Sequence, residues 1–362
     1  MVKIKLGDVI DFKNGKSVKK SDGVIPIYGG NGILGYTDKS NFSHTIVVGR
    51  VGAYCGSIYV EENSCWVSDN AISGVPKEGH DLTYLYYVLK SLNLNSKQIG
   101  SSQPLITQSM LKDMVVDIEI NIENQKRIAN SISIIDQKIQ TNSQINQELE
   151  AMAKTFYDYW FVQFNFPDQN GNPYKSSGGK MVYNPELKRE IPEGWGVEKL
   201  KYFLTIKNGK DHKHLQDGKF AVYGSGGIMR TVADYLYSGE SILFPRKGTL
   251  NNVMYVNEEF WTVDTMFYSE VNKNNSALYV FYSVKDIDFN KLNTGTGVPS
   301  MTSSILYDLN IIVPEENILE KFNTIVKQNY ETIKLNNIQN QELNQLRDWL
   351  LPMLMNGQVK VE

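Results

Sequence analysis

The chain has 362 residues, beyond the ~100–200 of one ordinary domain, so two or more domains are expected. With 41% hydrophobic and 21% charged residues it reads as a globular protein with a core, and 37 Lys+Arg against 40 Asp+Glu exclude a uniformly basic surface but not local basic clusters. No apolar run approaches the ~18–20 residues of a membrane span, MVKIKLGDVIDF is not a signal peptide, and Cys55 and Cys65 alone exclude a disulfide framework, so reduced thiols in a cytoplasmic protein are expected.

In chain order, residues 1–120 predict short strands, such as Thr45–Val48 and Ser57–Val60, separated by glycine-rich turns and interrupted by an amphipathic helix over Leu82–Leu92. A basic turn stands at Lys13, Lys16, Lys19 and Lys20, glycines cluster over Tyr28–Tyr36, Arg50 follows the Thr45–Val48 strand, and Gly100-Ser101-Ser102-Gln103-Pro104 leads into the last strand. Residues 121–164 predict a long helix. Its positions Ile128, Ile132, Ile135, Ile139, Leu149, Ala153, Phe156 and Trp160 keep the 4-3 spacing of a coiled-coil seam, with Asn142 and Asn146 filling the gaps. Residues 165–192 are polar, rich in Gly and Pro and without period, which predicts a connecting loop with few apolar anchors.

The pattern then begins again. KNGK at Lys13–Lys16 recurs at Lys207–Lys210, Tyr28-Gly29 at Tyr223-Gly224, Arg50 at Arg246, Trp66 with Asp69 at Trp261 with Asp264, and TYLYYVLK at ALYVFYSVK. Residues 193–315 thus repeat the first body, and 316–362 carry a second long helix with Phe322, Val326, Ile333, Leu343, Leu350 and Leu354 in phase. Asn336 and Asn340 sit at the positions of Asn142 and Asn146. Because a long lone helix needs a partner for its stripe, the two helices are expected to pair, with Asn142 opposite Asn340; a seam shifted through Ile145 and Ile338 would instead leave the asparagines in water.

Catalytic signals are sparse. There is no GxxxxGK[ST] loop, and no Ser/His/Asp or Cys/His grouping recurs in both repeats. Asn172-Pro173-Tyr174 lacks the second proline of the adenine-methyltransferase motif and no S-adenosylmethionine glycine motif precedes it, while His212-Lys213-His214 has no Cys or carboxylate partner for a metal. Nucleic-acid signals are paired. Lys207, Lys210 and Lys213 match the first basic turn, and lysines on such turns reach phosphates, or else mark a solvated turn. Arg50 and Arg246, with Lys247 and Arg230 nearby, suit guanine edges or structural ion pairs. Ser102, Gln103, Thr294 and Thr296 lie in polar loops able to bond bases or phosphates. Tyr84, Tyr87, Tyr279 and Tyr282 read as core.

The duplicated body, the stretch Pro173-Tyr174-Lys175-Ser176-Ser177-Gly178-Gly179-Lys180-Met181 after FYDYWFVQFNFP, IPEGW at Ile191–Trp195 and the tail LRDWLLPMLMNGQVKV resemble the specificity (S) subunit of type I restriction–modification systems. The resemblance implies an α+β protein: two target recognition domains, each a glycine-rich β-sheet body with a short helix, joined by two long helices in an antiparallel coiled coil with pseudo-two-fold symmetry. It further implies that the two domains read the halves of an asymmetric, interrupted DNA site, and that the helices act as a ruler and dock two methylation subunits. Restriction subunits would join these. S-adenosylmethionine and ATP/Mg would belong to the partners, and this chain would have no catalysis of its own. A self-sufficient methyltransferase would need the missing motifs; an adhesive β-repeat protein leaves the paired helices unexplained.

Overall fold

A computed structural model of the chain describes residues 1–97, 104–295 and 297–359. Two compact units result, one of residues 1–143 with the chain from 336 onward, the other of residues 144–335. Each unit therefore contains one strand-rich body together with part of both long helices. The expected divisions at residues 120 and 315 mark where strand gives way to helix, but packing runs across them.

In the first unit the elements are β1 (Val2–Lys5), α1 (Leu6–Val9), β2 (Ile10–Asn14), β3 (Ile25–Gly29), β4 (Gly32–Thr37), β5 (Phe42–Gly49), β6 (Ile58–Val67), β7 (Ala71–Pro76), α2 (Leu82–Ser91), α3 (Gln108–Asp113), β8 (Val115–Ile118) and the start of α4 (Ile122–Tyr157). Six strands form a sheet in the order β2-β7-β5-β6-β3-β4, and β1 pairs with β8 separately. Only β3 and β6 are parallel, with Ile27 beside Trp66 and Tyr28 beside Val67. Central β5 is buried continuously over Thr45–Gly49, whereas the edge strand β2 alternates, burying Ile10 and Phe12. On this sheet lies α2, capped by Asp81, whose carboxylate accepts from the Tyr84 N–H at 2.8 Å. Its Tyr84, Leu85, Val88 and Leu89 join Phe12, Ile46 and Ile72 in one core with Ile128 and Ile132 of α4. The Tyr84 hydroxyl accepts from the Glu119 N–H at 2.9 Å, so a polar end is satisfied inside that core.

The second unit repeats this order. It contains β9 (Met181–Asn184), β10 (Arg189–Pro192), β11 (Gly196–Lys199), β12 (Leu204–Asn208), β13 (Phe220–Gly224), β14 (Gly227–Val232), β15 (Tyr237–Pro245), β16 (Met254–Thr262), β17 (Met266–Val271), α5 (Ala277–Lys285), α6 (Ser303–Tyr307), β18 (Asn310–Val313) and the start of α7 (Glu316–Met355). The sheet order is β12-β17-β15-β16-β13-β14, with β11 paired to β18, and again only β13 and β16 are parallel. Both cysteines, in the first unit, are buried and unbridged; burial and the charge of Glu61 push Cys65 up to about 12.

The stretch 165–192 is not an unanchored loop. Phe166 stacks on Trp195 at 4.8 Å and on Tyr174 at 4.7 Å, Asn165 Oδ1 accepts from the Ser176 N–H, and β9 pairs with β10. Aromatic residues spaced without period hold it to the second core. Ahead of it α4 ends at Tyr157, and Asp158–Val162 forms a π turn that buries Trp160 and Phe161 against Phe322.

The seam follows the asparagines. In the first unit Ile128, Ile132, Ile135 and Asn142 are buried, and Asn142 Nδ2 donates to Asn340 Oδ1 at 2.9 Å and to Gln339 Oε1 at 2.8 Å. Ile145 and Ile338, the members of the shifted seam, are 37% and 45% exposed. The two segments are antiparallel there, since Asp136 likewise meets Arg347.

That second contact is a polar network inside the same unit. Arg347 Nη1 donates to Asp136 Oδ1 at 2.9 Å, the Tyr87 hydroxyl donates to Oδ2 at 2.9 Å, and Lys90 Nζ lies 3.4 Å from Oδ2. Burial on its own would raise the Asp136 pKa; its bonds to Arg347 and Tyr87 and the charge of Lys90 overcome this and hold it below the usual carboxylate value. A carboxyl held low contributes stability above its unfolded pKa, and that stability is lost as pH falls through the folded value. Arg347→Ala should therefore cost about 2 kcal/mol near neutrality, and the cost should shrink below about pH 4. Urea unfolding at the two pH values checks this. Equal losses at both would show that Asp136 is not the partner through which Arg347 stabilises.

Candidate nucleic-acid interface

The KNGK segment is built the same way in both bodies. In the first, the Gly15 N–H donates to Ala71 O at 3.1 Å, the Lys16 N–H to Val67 O at 3.0 Å, and the Trp66 indole N–H to Lys16 O at 2.6 Å. In the second, Gly209 donates to Met266 O at 2.9 Å, Lys210 to Thr262 O at 2.9 Å, and Trp261 to Lys210 O at 2.9 Å. A Cβ at Gly15 would overlap Ser68 O, and one at Gly209 would overlap Val263 O, so the chain passes there only as glycine. The segment is thus the end of the edge strand crossing its neighbour, and it leaves the lysines outside. Lys13 pairs with Asp11 at 2.9 Å and Lys207 with Glu270 at 3.5 Å. Lys16, Lys19, Lys20, Lys210 and Lys213 are exposed and, among the described residues, have no ion pair.

The two arginine loops are equally alike. The Arg50 N–H donates to Asn70 O at 2.9 Å and its carbonyl accepts from Ile106 at 3.0 Å; the Arg246 N–H donates to Thr265 O at 2.8 Å and its carbonyl accepts from Met301 at 2.9 Å. Two residues on, Gly52 donates to Pro104 O and Gly248 to Pro299 O. Each loop is thereby joined to the segment before α3 or α6. Among the described residues the arginines with ion pairs are Arg230 and Arg347, so neither Arg50 nor Arg246 is a structural ion-pair member. Arg50 borders a polar recess of about 400 Å³ with Asn14, Thr107, Gln108, Ser109 and Lys112, and its Nε is buried without a hydrogen-bond partner among the described residues. Arg246 is exposed, 5.9 Å from the centre of the Phe267 ring, and Lys247 beside it is exposed as well.

Other candidates are engaged locally. Arg230 Nη2 donates to Leu215 O at 2.8 Å and pairs with Asp217 at 3.0 Å, which holds the loop before β13. Thr294 Oγ1 and N–H both donate to Ser300 O, closing their own loop. Ser102, Gln103 and Thr296 lie outside the described residues. His212 and His214 belong to no group of metal-binding side chains among the described residues. Sequence reading missed Asn14, Gln108 and Lys112 around Arg50. The signal available was Asn14 within the repeated KNGK; nothing in the spacing pointed to Lys112.

The family model for the type I restriction modification DNA specificity domain matches residues 1–151 and 192–345. The chain is 28% identical over 341 residues, 85% of its length and 76% of the relative's, to the specificity subunit of the type I restriction enzyme MjaIX of Methanocaldococcus jannaschii. It is 21% identical, over 73% of this chain and 74% of the other, to the HindI specificity subunit of Haemophilus influenzae. In fold it resembles the crystal structure of a type I restriction–modification S subunit from M. genitalium, with a TM-score of 0.71 over 98% of this chain and 96% of that one at 20% identity.

Gly15→Ala should destabilise the first unit by about 1–3 kcal/mol, because the new methyl displaces a strand end. Thermal unfolding of the variant checks it, and a midpoint equal to that of the parent would show that the strand end yields freely.

Proposed function

The chain belongs to the type I restriction–modification DNA specificity family, and we propose that it reads an asymmetric, bipartite DNA sequence, one half with each body. One observation carries this reading: the same arginine loop is set in two different surroundings. Arg50 has Asn14, Gln108 and Lys112 about it; in the second body Asn14 recurs as Asn208, but Ser303 and Tyr307 stand where the first has Gln108 and Lys112, and the Tyr307 hydroxyl donates to Ile206 O and accepts from the Ile206 N–H. Equal scaffolds with unequal side chains suit two different half-sites. Arg50 and Arg246 contact guanine edges. The exposed lysines of the KNGK segments neutralise phosphates and give affinity without sequence information.

The long helices serve as ruler and dock. At 40 residues α7 spans about 60 Å, which suits half-site centres about one helical turn, 10–12 base pairs, apart. Exposed apolar residues on α4 and α7, among them Ile134, Met152, Leu346 and Trp349, supply surface for two methylation subunits, with two restriction subunits joining them. S-adenosylmethionine and ATP/Mg are bound by those partners, and this chain positions them without catalysis. The complex works in the cytoplasm; among the described residues no helix is long and apolar enough to cross a membrane.

Replacing residues 1–120 by those of another family member, followed by methylome sequencing of cells that also make the methylation subunit, should change one half of the methylated sequence and keep the other. A change in both halves together would sink the two-reader arrangement. In the same complex, Lys16→Ala should weaken binding about equally for all duplexes and reduce the salt slope by about one unit. Binding titrations at several salt concentrations measure this, and altered base preference would reassign Lys16 to readout.

A further inference from the structure

The hairpins β3–β4 and β13–β14 carry a feature that the charges do not explain. Tyr28 pairs with Ile33 and Ile27 with Gly35, leaving Leu34 unpaired; Tyr223 pairs with Ile228 and Val222 with Arg230, leaving Met229 unpaired. The same β-bulge thus occurs at the same place in both bodies, and bulges re-aim side chains next to working sites. What it carries is apolar and exposed. Ile33 and Leu34 are 49% and 37% exposed, and Ile228 and Met229 are 62% and 60% exposed. Among the described residues, the other exposed large apolar residues of the bodies are not matched. Tyr54 corresponds to the buried Leu250, and Tyr36 to Thr231.

Both bulged side chains are held down by a missing one. Leu34 lies across Gly29 and Met229 across Gly224, where any Cβ would overlap them. Each tip is also tied to its arginine loop. Gly30 lies against Gly49 and Tyr54 and its carbonyl accepts from the Ser57 hydroxyl; Ser225 O accepts from Asn252 Nδ2 at 2.8 Å, and Gly248 lies against the Ser225 side chain. Lys20 packs along β4 at Gly35. An apolar tip joined to the loop of Arg50, with Lys20 along its strand, or to the loop of Arg246 and Lys247, fits a surface that is polyanionic at its rim and apolar within.

We propose that Ile33 with Leu34, and Ile228 with Met229, are specificity-determining contacts that press on thymine methyl edges in the groove of duplex DNA. The inference rests on the DNA-reading function above and adds the residues that discriminate by shape instead of charge. A methyl contact releases no counterion, so its loss lowers affinity without changing the salt slope.

The test uses the complex with the methylation subunit and the duplex found by methylome sequencing. Ile33→Gln with Leu34→Gln should weaken binding to that duplex about tenfold at unchanged salt slope, and should relax the methylated sequence in one half only. Ile228→Gln with Met229→Gln should relax the other half. The exchanges Leu34→Met and Met229→Leu, which keep an apolar side chain over the glycine, should lose far less affinity than the glutamine variants, and thermal midpoints of all variants show that folding is kept. Unchanged affinity and methylation in the glutamine variants would overturn the proposal. So would a reduced salt slope, or loss of the methylation subunit from the complex with DNA binding intact. A parental complex with no sequence preference would instead overturn the DNA-reading function itself.

Discussion

Apolar burial that runs without a break from sheet to helix is the constraint on which each unit depends. In the first unit Ile128 and Ile132 of α4 and Leu351, Leu354 and Met355 of α7 belong to the core that also contains Tyr84, Phe12 and Ile46. In the second, Trp160, Phe161, Phe322 and Val326 share a core with Tyr279 and Phe244. A helix with so low an apolar content would not persist in water by propensity. Its stripe is completed by the body beside it, and the body in turn lacks a cover for α2 or α5 without the helix.

That arrangement explains where polar groups enter the helices. Asn142 is 1% exposed; its Nδ2 donates to Asn340 and Gln339, while its Oδ1 is buried without a hydrogen-bond partner among the described residues, so a slipped register would leave the whole buried amide unpaired. The Asp136–Arg347 pair works differently: it joins the helices to Tyr87 and Lys90 of α2, and so fixes body to helix as well as helix to helix. At the matching places in the second unit stand Tyr330 and Ala153. The Tyr330 hydroxyl donates to Tyr255 O at 2.8 Å, and the rings meet edge to face at 4.5 Å. At these matching places the scaffold has an ion pair in one unit and aromatic packing in the other, where Lys327–Glu240 and Lys334–Glu258 also join α7 to the body.

Much of this was legible in the sequence because repetition samples the same physics twice. The near-constant offset gave the duplication, and the 4-3 spacing gave the seam, including the asparagines that a hydrophobicity argument would have excluded. Where period fails, so did reading. The anchors Phe166 and Tyr174 of the stretch 165–192 have no spacing to betray them, and their partner Trp195 is distant in sequence. The candidate site was legible as a set of loops but not as a set of side chains. Arg230 looked like its neighbours Arg246 and Lys247, yet its partners Leu215 and Asp217 come from a loop whose path composition does not give. Leu34 and Met229 were silent because a bulge is a property of pairing, and pairing needs both strands.

The repeated backbone bonds also separate the loops from the side chains they present. Arg50 and Arg246 are placed by N–H and carbonyl groups of residues 70, 106, 265 and 301, not by their side chains. The KNGK crossings rest on glycines and one indole, and the hairpin bulges on glycines Gly29 and Gly224. Backbone and glycine therefore hold these loops, and the side chains that project from them carry little of the fold. Lys112 can stand where the other body has Tyr307, and Leu34 where it has Met229, with the same strand order maintained around both. Separating what positions a loop from what the loop presents is the physical condition for one architecture to carry two unlike sets of exposed side chains.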